Sequence, residues 1–205
     1  PKVLCEICGK PMVQYVVEAA SLVKPKKIIV VIGRKRAQVK DVFASNVRVA
    51  YQEKPLGTAD AVKAAIKDIP PDVKDVIVLY GDTPLITDET IRVLYDFHTS
   101  KNVSCTVLTT FLDNPGGYGR ILRNEAGQLV GIIEDKDANY QQKNIREINT
   151  GMYCFKKDDL LEALKYVKPA ANTAEFYLTD AFSWLFSRNR KIDACVVNTS
   201  QEVLG

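Results

Sequence analysis

The first half of the chain alternates between two hydrophobic patterns. Over residues 10–23, apolar residues stand at positions 12, 13, 16, 17, 19, 20, 22 and 23, the spacing of an amphipathic helix. Short runs rich in valine and isoleucine predict buried strands, and they span 27–32, 47–52 and 75–80. Further helices are predicted near 36–44, over 59–69 and over about 88–99.

Strands that alternate with helices in this way are typical of a parallel sheet with helices on both faces. The pattern changes after residue 104, because three strands follow without a long helix between them, at 104–111, 119–123 and 128–134. The remaining elements are a strand at 146–155, helices at 157–167 and 176–188, and a strand at 191–197. We therefore predict one mixed α/β domain over residues 1–205, with a β-rich lobe at about 104–155.

The composition is that of a globular protein. Of the 205 residues, 46% are hydrophobic and 26% are charged, and the formal net charge is +3. This charge is too small to imply nucleic-acid binding, and the basic residues at 24–27 and 34–36 fit solvated strand ends better than a polyanion site. No apolar run reaches the roughly 18 residues of a membrane span, and the first residues lack the apolar core of a signal peptide. We expect a cytoplasmic protein with no nucleic-acid or membrane partner.

Five cysteines and one histidine restrict the possible metal chemistry. An odd cysteine count in a lysine-rich chain favours a reducing compartment over a disulfide framework. Cys5 and Cys8 form one C-x-x-C pair, but a zinc site would need more cysteine or histidine ligands. We interpret them as two thiols beside a turn, with metal or redox use as the alternative. His98 is interpreted as a surface or core residue of a helix.

Polar residues directly after predicted strands are candidates for binding, because ligands of open α/β sheets bind beyond the carboxyl ends of the strands. Asp82 follows the strand 75–80, and a carboxylate at this place suits Mg²⁺. An aspartate that only caps the next helix would show the same pattern. Gln52 opens a glycine loop at 52–59 in which Thr58 is a candidate helix cap. Its amide suits the edge of a pyrimidine, although an ordinary strand-turn-helix connection has the same pattern.

Three further segments have polar residues at strand ends, and ordinary turn chemistry explains each of them when it is taken alone. They are 116–120, which reads Gly-Gly-Tyr-Gly-Arg, Glu134 with the charged residues after it, and 147–151, which reads Glu-Ile-Asn-Thr-Gly. Taken together with Leu-Tyr-Gly-Asp at 79–82 and Glu-Phe-Tyr-Leu-Thr-Asp at 175–180, their order and spacing resemble a known family. It is the N-terminal domain of bacterial N-acetylglucosamine-1-phosphate uridylyltransferase / glucosamine-1-phosphate acetyltransferase, and the resemblance covers residues 1–205.

The resemblance implies a Rossmann-like nucleotidyltransferase fold, with a mixed, mostly parallel sheet and a small β-rich lobe that binds the sugar. It implies that Lys2 and Asp82 are catalytic, that Lys2 contacts phosphates and that Asp82 holds Mg²⁺. The implied nucleotide-binding residues are Lys2, Gln52, Gly57, Thr58, Tyr80 and Gly81. The implied sugar-binding residues are Gly119, Glu134, Asn149, Tyr177 and Thr179.

The implied reaction joins UTP and N-acetylglucosamine-1-phosphate to give UDP-N-acetylglucosamine and pyrophosphate, without a covalent protein intermediate. In the family this product supplies peptidoglycan and lipopolysaccharide precursors, and the enzyme is multifunctional and homotrimeric through a β-helix domain. Two other classes remain open: a different sugar-1-phosphate nucleotidylyltransferase, and a non-catalytic chain that keeps only the fold.

The sequence departs from the family pattern in three places. It begins at Pro1, where the family has a preceding strand and a glycine-rich phosphate-binding loop, and it ends before the β-helix domain. It also has Ala174 where the family usually has glycine before Glu-Phe-Tyr. The resemblance therefore leads us to expect that these 205 residues alone bind UTP weakly and form no product.

Overall fold

The computed structural model describes residues 2–33, 43, 47–170 and 173–204, and the helix predicted near 36–44 lies outside the described residues apart from position 43. The strands are β1 (Glu6–Ile7), β2 (Lys10–Pro11), β3 (Ile28–Gly33), β4 (Val47–Gln52), β5 (Asp75–Val78), β6 (Cys105–Phe111), β7 (Gly119–Arg123), β8 (Leu129–Ile133), β9 (Glu147–Lys156) and β10 (Ile192–Val196). The α-helices are α1 (Met12–Leu22), α2 (Thr58–Ala65), α3 (Asp88–Lys101), α4 (Tyr140–Lys143), α5 (Lys157–Ala163) and α6 (Leu178–Ser187).

Six of the described strands form one mixed sheet. Its order is β10-β6-β9-β7-β8, and β5 also pairs with β9. β6 is parallel to β10 and antiparallel to β9, which is in turn antiparallel to β5 and β7. Four strands (β5, β6, β7 and β10) therefore run in the same direction, while β8 and β9 run in the opposite one. The prediction of a mixed sheet is confirmed, although the place of β9 between parallel strands makes most neighbouring pairs antiparallel.

The long strand β9 organises the centre of the molecule. β6 pairs along one edge of it, whereas β5 and β7 share the other edge. On that shared edge, Val78 at the end of β5 pairs with Tyr153, and Gly119 at the start of β7 pairs with Asn149. The edge of β9 between these two pairs therefore faces the place where β5 ends and β7 begins. We call this place the fork.

Helices cover both faces of the sheet, as the alternating pattern predicts. On one face, a core cluster joins β9 to α5 and α6 through side chains such as Phe155, Leu160 and Phe182, all fully buried. On the other face, α1 and α3 pack against the sheet through a second cluster that includes Leu94 and Met152. Each such side chain contributes about 1.5–3 kcal/mol when it is removed from water, so the two clusters hold the fork between two packed layers.

Several predicted boundaries need correction. The helix predicted over 10–23 begins at Met12, because residues 6–11 form the β1–β2 hairpin. Thr58 is not the cap of α2, since Gly57 occupies the N-cap position and no side chain caps the helix. The helix predicted over 157–167 ends at Ala163. The short helix α4 escaped prediction because four residues are too few to show a helical period.

The hairpin accounts for the C-x-x-C motif. Cys8 and Gly9 are the two residues of its turn, and their φ values are 52° and 77°. Two-residue hairpin turns of this type require a positive φ at both positions. Cys5 and Cys8 are both exposed free thiols. In the parts of the chain that the structure covers, His, Cys, Asp and Glu nowhere form a group of three or more that could hold a metal ion.

His98 lies in the core, one of the two positions considered from the sequence. Its ring is 1% exposed, and Nδ1 lies 2.9 Å from the Thr106 hydroxyl while Nε2 lies 3.6 Å from Asp75. Burial lowers the pKa of His98, and the nearby Asp75 carboxylate opposes this effect in part. Asp75 begins β5, at the opposite end of the strand from Asp82, so this histidine takes no part in the fork. Within the described ranges, no helix has the length and apolar character needed to cross a membrane.

Candidate functional site

A cavity of about 340 Å³ opens at the fork, and we call it the fork cavity. Most of the residues selected from the sequence line it: Lys2, Thr58, Tyr80, Asp82, Gly119, Glu134, Asn149, Tyr177 and Thr179. Gln52, Gly57 and Gly81 do not line it. The remaining lining residues were not named individually as site residues, although five of them lie in the segments 116–120, 147–151 and 175–180 that carry the resemblance. They are Thr83, Gly117, Tyr118, Thr150, Gly151, Tyr153, Leu178 and Val203.

A cation and a carboxylate lie together at the exposed rim of the fork cavity. Lys2 Nζ donates to Asp82 Oδ2 at 3.1 Å, and the two side chains are 61% and 30% exposed. The turn that carries Asp82 is fixed by Thr83, whose hydroxyl donates to the carbonyl oxygen of Tyr80 at 2.9 Å. This pair has the charges needed to bind phosphate groups and a hard metal ion in the same place.

Asp82 suits Mg²⁺ better than it suits a metal ion that is held mainly by protein ligands. Its carboxylate lies at the rim, and Mg²⁺ typically takes one or two carboxylates while water and substrate phosphates complete its sphere. The partial exposure of Asp82 leaves room for such ligands. A metal that requires three or four protein ligands does not fit this donor set.

The wall of the fork cavity depends on a close contact between Tyr80 and Gly151. Gly151 has φ of 76°, and a Cβ at this position would overlap the ring of Tyr80. The ring therefore packs directly on the backbone of β9 at the fork. Burial, with smaller contributions from Glu134 and Asp82, raises the pKa of Tyr80 to about 12, so the phenol is neutral. Gly81 is also confined, since an added Cβ would lie 3.3 Å from Val13.

The floor of the fork cavity is formed by residues from α6, β7, β9 and the segment that follows β8. Thr179 on α6 donates its hydroxyl to Glu134 Oε1 at 2.9 Å. Asn149 on β9 accepts the Gly151 N–H on its Oδ1 at 2.8 Å, which leaves its NH₂ group as a donor. Gly119 fits between them, since an added Cβ would lie 3.4 Å from Asn149 and 3.5 Å from Glu134 Oε2. The floor thus presents both acceptors and donors, as sugar hydroxyls require.

Tyr177 stands at the start of α6 with its hydroxyl held by neighbouring side chains. The hydroxyl donates to Glu175 Oε2 at 2.7 Å and lies 2.9 Å from the Thr173 hydroxyl. Lys136 Nζ donates to the same oxygen at 2.5 Å and also lies 4.4 Å from the ring centroid. These contacts fix the ring at the side of the fork cavity.

The loop after β4 is fastened to the segment that precedes α6. Phe176 N–H donates to Leu56 O at 2.7 Å, and Ala59 N–H donates to Phe176 O at 2.9 Å. Thr58 accepts the Leu178 N–H on its hydroxyl at 2.9 Å, which is the role it has instead of capping α2. Gly57 allows this approach, because its φ is 104° and an added Cβ would lie 2.6 Å from Phe176 O.

Gln52 lies beside this loop rather than in the fork cavity. Its NH₂ group donates to Gly57 O at 3.1 Å and to Asp60 Oδ2 at 2.9 Å. Both amide donors are therefore used within the protein. The carbonyl oxygen of the Gln52 side chain is the atom that a ligand would meet.

The segment before Phe176 carries a strained residue. Ala174 has φ of 55°, a left-handed conformation that costs a residue with a Cβ about 1–2 kcal/mol. Ala174→Gly removes this cost but adds chain entropy to the unfolded state. We expect a gain of about 0.5–1 kcal/mol in the free energy of unfolding, measured by urea denaturation.

The control for this substitution is Ala61→Gly within α2, which should lose about 1 kcal/mol. A loss of similar size at both alanines would show that the backbone at Ala174 is not strained.

Some polar residues singled out in the sequence have structural roles. Glu147 is 5% exposed and accepts from Arg123 Nε at 2.7 Å and Nη2 at 2.6 Å, so it forms a bidentate ion pair. Thr150 donates its hydroxyl to Leu108 O at 2.8 Å. Asp135 pairs with the buried Arg120 at 2.9 Å. Of the polar run at 147–151, Asn149 supplies the side chain best placed for a ligand.

Among the missed residues on β9, Tyr153 is related to Asn149 by the pairing with β6. Asn149 pairs with Thr109 and Tyr153 pairs with Val107, so the two residues share a face of the sheet across the irregularity that separates them. This pairing is visible only in the structure. The contribution of Val203 has no comparable pattern, because it comes from a 3₁₀ turn at Ser200–Val203 that is distant in sequence.

The fold is that of a nucleotidyltransferase. The nucleotidyl transferase family matches residues 1–200. Over its whole length the chain is 44% identical to the bifunctional protein GlmU of Caldanaerobacter subterraneus subsp. tengcongensis and 40% identical to that of Clostridioides difficile. The chain thus belongs to the nucleotidyl transferase family. It spans about 44% of the length of these relatives.

Solved structures show the same fold in proteins of distant sequence. UDP-glucose pyrophosphorylase complexed with UDP-glucose aligns with a TM-score of 0.74 and 19% identity, over 95% of this chain and 82% of that one. Its apo form aligns with a TM-score of 0.76 and 18% identity, over 99% and 88%. These similarities extend to the fold, and the Rossmann-like nucleotidyltransferase architecture is confirmed.

Proposed function

We propose that the complete gene product containing this chain transfers the uridylyl group of UTP to N-acetylglucosamine-1-phosphate. The products are UDP-N-acetylglucosamine and pyrophosphate. One observation carries the proposal: a single cavity holds the Lys2–Asp82 pair at its rim and the polar set of Glu134, Asn149 and Thr179 at its floor. The membership in the nucleotidyl transferase family supports it.

The loop after β4 is proposed to hold the uracil ring. The carbonyl oxygen of Gln52 would accept the N3–H of uracil, since its amide donors are already used by Gly57 and Asp60. Gly57 and Thr58 would pack beside the base, with Tyr80 and Gly81 as part of the wall. A cytosine ring lacks the N3–H donor, so the same oxygen would discriminate against it.

Lys2 and Asp82 are proposed to act on the phosphates. Asp82 would hold Mg²⁺, which when bound supplies positive charge to the phosphate oxygens. Lys2 would donate to the same group of oxygens with its Nζ, and its 3.1 Å contact with Asp82 keeps it at the rim. Such a site accelerates phosphoryl-type transfer by positioning and by charge, without a protein nucleophile.

The floor of the fork cavity is proposed to orient the acceptor sugar. Glu134, Asn149, Tyr177 and Thr179 would bind its hydroxyl and acetamido groups, and Gly119 would leave space for the ring. An oxygen of the sugar phosphate attacks the α-phosphorus of UTP, a new P–O bond forms, and the bond to the β-phosphate breaks as pyrophosphate leaves. Holding the two substrates in line is the main contribution of this chain.

Three wider properties are proposals that rest on the resemblance. The reaction would take place in the cytoplasm, where UTP is made, and its product would supply peptidoglycan and lipopolysaccharide precursors. The complete gene product would be multifunctional and assemble as a homotrimer through a β-helix domain. Its mass in solution, compared with the mass of one chain, tests the assembly.

The proposal is tested by Glu134→Gln in the complete gene product. Glutamine retains the shape and an oxygen for the Thr179 hydroxyl, but an amide replaces the second carboxylate oxygen. Loss of a hydrogen bond to a charged group costs about 1.5–3 kcal/mol. We therefore expect kcat/KM for N-acetylglucosamine-1-phosphate to fall about 10- to 100-fold, while the KM for UTP changes less than about threefold.

Glu125→Gln in the exposed β7–β8 turn is the control, and it should leave both constants unchanged. Equal losses for the sugar phosphate and for UTP would contradict the assignment of Glu134 to the sugar.

A further inference from the structure

Tyr153 carries a polar group for which the fold provides no partner. The residue is 1% exposed, and its hydroxyl has no hydrogen-bond partner among the residues that the structure describes. Buried polar atoms are satisfied in the great majority of cases, because an unpaired one forfeits its hydrogen bonds to water. Tyr153 also lines the fork cavity. An unpaired hydroxyl at a cavity wall is available to form a hydrogen bond with a ligand.

The position of Tyr153 on β9 directs it to the polar floor. It pairs with Val107 of β6 while Asn149 pairs with Thr109, so Tyr153 and Asn149 share one face of the sheet. At this point β9 pairs with the last residue of β5, and the chain of β5 continues to Tyr80 at the cavity wall. Tyr153 therefore lies below the same part of the cavity that Asn149 and Tyr80 surround.

The ring of Tyr153 is fixed by the core. It belongs to the cluster beneath α6, and its centroid lies 5.4 Å from that of Phe155 with the planes tilted by 32°. A phenylalanine would fill the same volume without the unpaired oxygen. The packing thus explains the ring and leaves the hydroxyl without a structural purpose.

The environment keeps the proton on the hydroxyl. Burial raises the pKa of Tyr153 well above its usual value, the charges of Tyr80, Cys105 and Glu134 add to this, and hydrogen bonding of the Asn149 side chain to the ionised form opposes it. At any physiological pH the hydroxyl is therefore a neutral donor. The same cavity is also lined by Tyr80 and Leu178, whose side chains supply apolar surface. A small substituent with a carbonyl oxygen and a methyl group matches both features.

We infer that Tyr153 determines sugar specificity by donating a hydrogen bond to the carbonyl oxygen of the 2-acetamido group of the substrate. This inference rests on the proposed function, and it deepens it by naming the group that distinguishes N-acetylglucosamine-1-phosphate from glucose-1-phosphate. Glucose-1-phosphate places a hydroxyl at this carbon, which is too short to fill the apolar part of the pocket. It would leave the Tyr153 hydroxyl poorly satisfied, and such sites discriminate strongly.

The test is Tyr153→Phe in the complete gene product, with two measurements. The first is the thermal midpoint without substrates, which we expect to rise by about 2–4 °C because an unpaired buried group is removed. The second is the ratio of kcat/KM for N-acetylglucosamine-1-phosphate to kcat/KM for glucose-1-phosphate. We expect this ratio to fall at least about tenfold while the KM for UTP is unchanged. Tyr166→Phe, at a half-exposed ring stacked on Trp184, is the control and should change neither measurement.

The outcomes separate the inference from the proposed function. A lower thermal midpoint for Tyr153→Phe together with an unchanged substrate ratio overturns the inference, because the hydroxyl then has a structural partner. If the wild-type enzyme prefers the acetamido sugar and Tyr153→Phe has the same substrate ratio as the wild type, the inference is overturned and the proposed function is not. A wild-type enzyme without that preference overturns both.

Discussion

Asp82→Asn is expected to reduce turnover by at least about 1,000-fold in the complete gene product at saturating Mg²⁺. The amide retains the shape of the side chain but loses the negative charge that attracts a divalent cation. A metal ion contributes several kcal/mol of charge stabilisation in such reactions, and each 1.4 kcal/mol corresponds to about a factor of ten. The measurement is the rate of pyrophosphate release as a function of Mg²⁺ concentration.

The fold should tolerate this substitution. The Lys2–Asp82 pair lies at an exposed rim, and exposed ion pairs contribute at most about 1 kcal/mol to the free energy of unfolding. Asp88→Asn is a matched control, because it also removes an exposed carboxylate with a basic neighbour, Arg92, at 3.4 Å. It should leave turnover unchanged. Retention of Mg²⁺-dependent activity within a few-fold by Asp82→Asn would contradict the assignment of the metal site.

Gly57→Ala should lower the free energy of unfolding by about 2–4 kcal/mol. Gly57 has φ of 104° and ψ of 179°, a region that is almost restricted to glycine and costs other residues about 1–3 kcal/mol. The new Cβ would also lie 2.6 Å from Phe176 O and 2.8 Å from Phe176 N, and these are backbone atoms that a rotamer change cannot move. Overpacking of this kind costs about 1–3 kcal/mol more. Urea denaturation measures the change.

Because Phe176 leads directly into Tyr177 and Thr179, the same substitution should raise the KM for both UTP and the sugar phosphate. Gly116→Ala is the control, since nothing lies within 4 Å of its added Cβ and its φ is not positive. It should alter stability by less than about 0.5 kcal/mol. If Gly57→Ala is as stable as Gly116→Ala, the loop after β4 can move away from the segment before α6 without loss of stability, which would contradict the prediction.

The sequence predicts the elements of this fold better than their pairing. β5 and β9 were recognised because continuous apolar runs of β-branched and aromatic residues favour buried strands. Their arrangement at the fork was not predictable, because a strand pattern does not specify its partners. The two strands that share one edge of β9 are separated by about 40 residues of chain. The fork cavity is a product of this pairing.

The candidate site was predictable where the motifs of the resemblance cover it. Residues whose role depends on distant partners were not. Thr58 fitted a helix cap in the sequence, yet its hydroxyl accepts from Leu178, 120 residues later. Glu147 appeared as a polar interruption, and its partner Arg123 lies on another strand. Tyr153 is indistinguishable from any core aromatic residue until the unpaired hydroxyl is seen against the cavity.

A competition experiment tests the central claim most directly. Equal amounts of N-acetylglucosamine-1-phosphate, glucosamine-1-phosphate and glucose-1-phosphate are mixed with limiting UTP, Mg²⁺ and the complete gene product. The products are then quantified by phosphorus NMR. Their ratio equals the ratio of the kcat/KM values, which is the measure of specificity. We expect UDP-N-acetylglucosamine to account for nearly all of the product, with pyrophosphate in equal amount. UDP-glucose as the main product, or consumption of UTP without any UDP-sugar, would contradict the account.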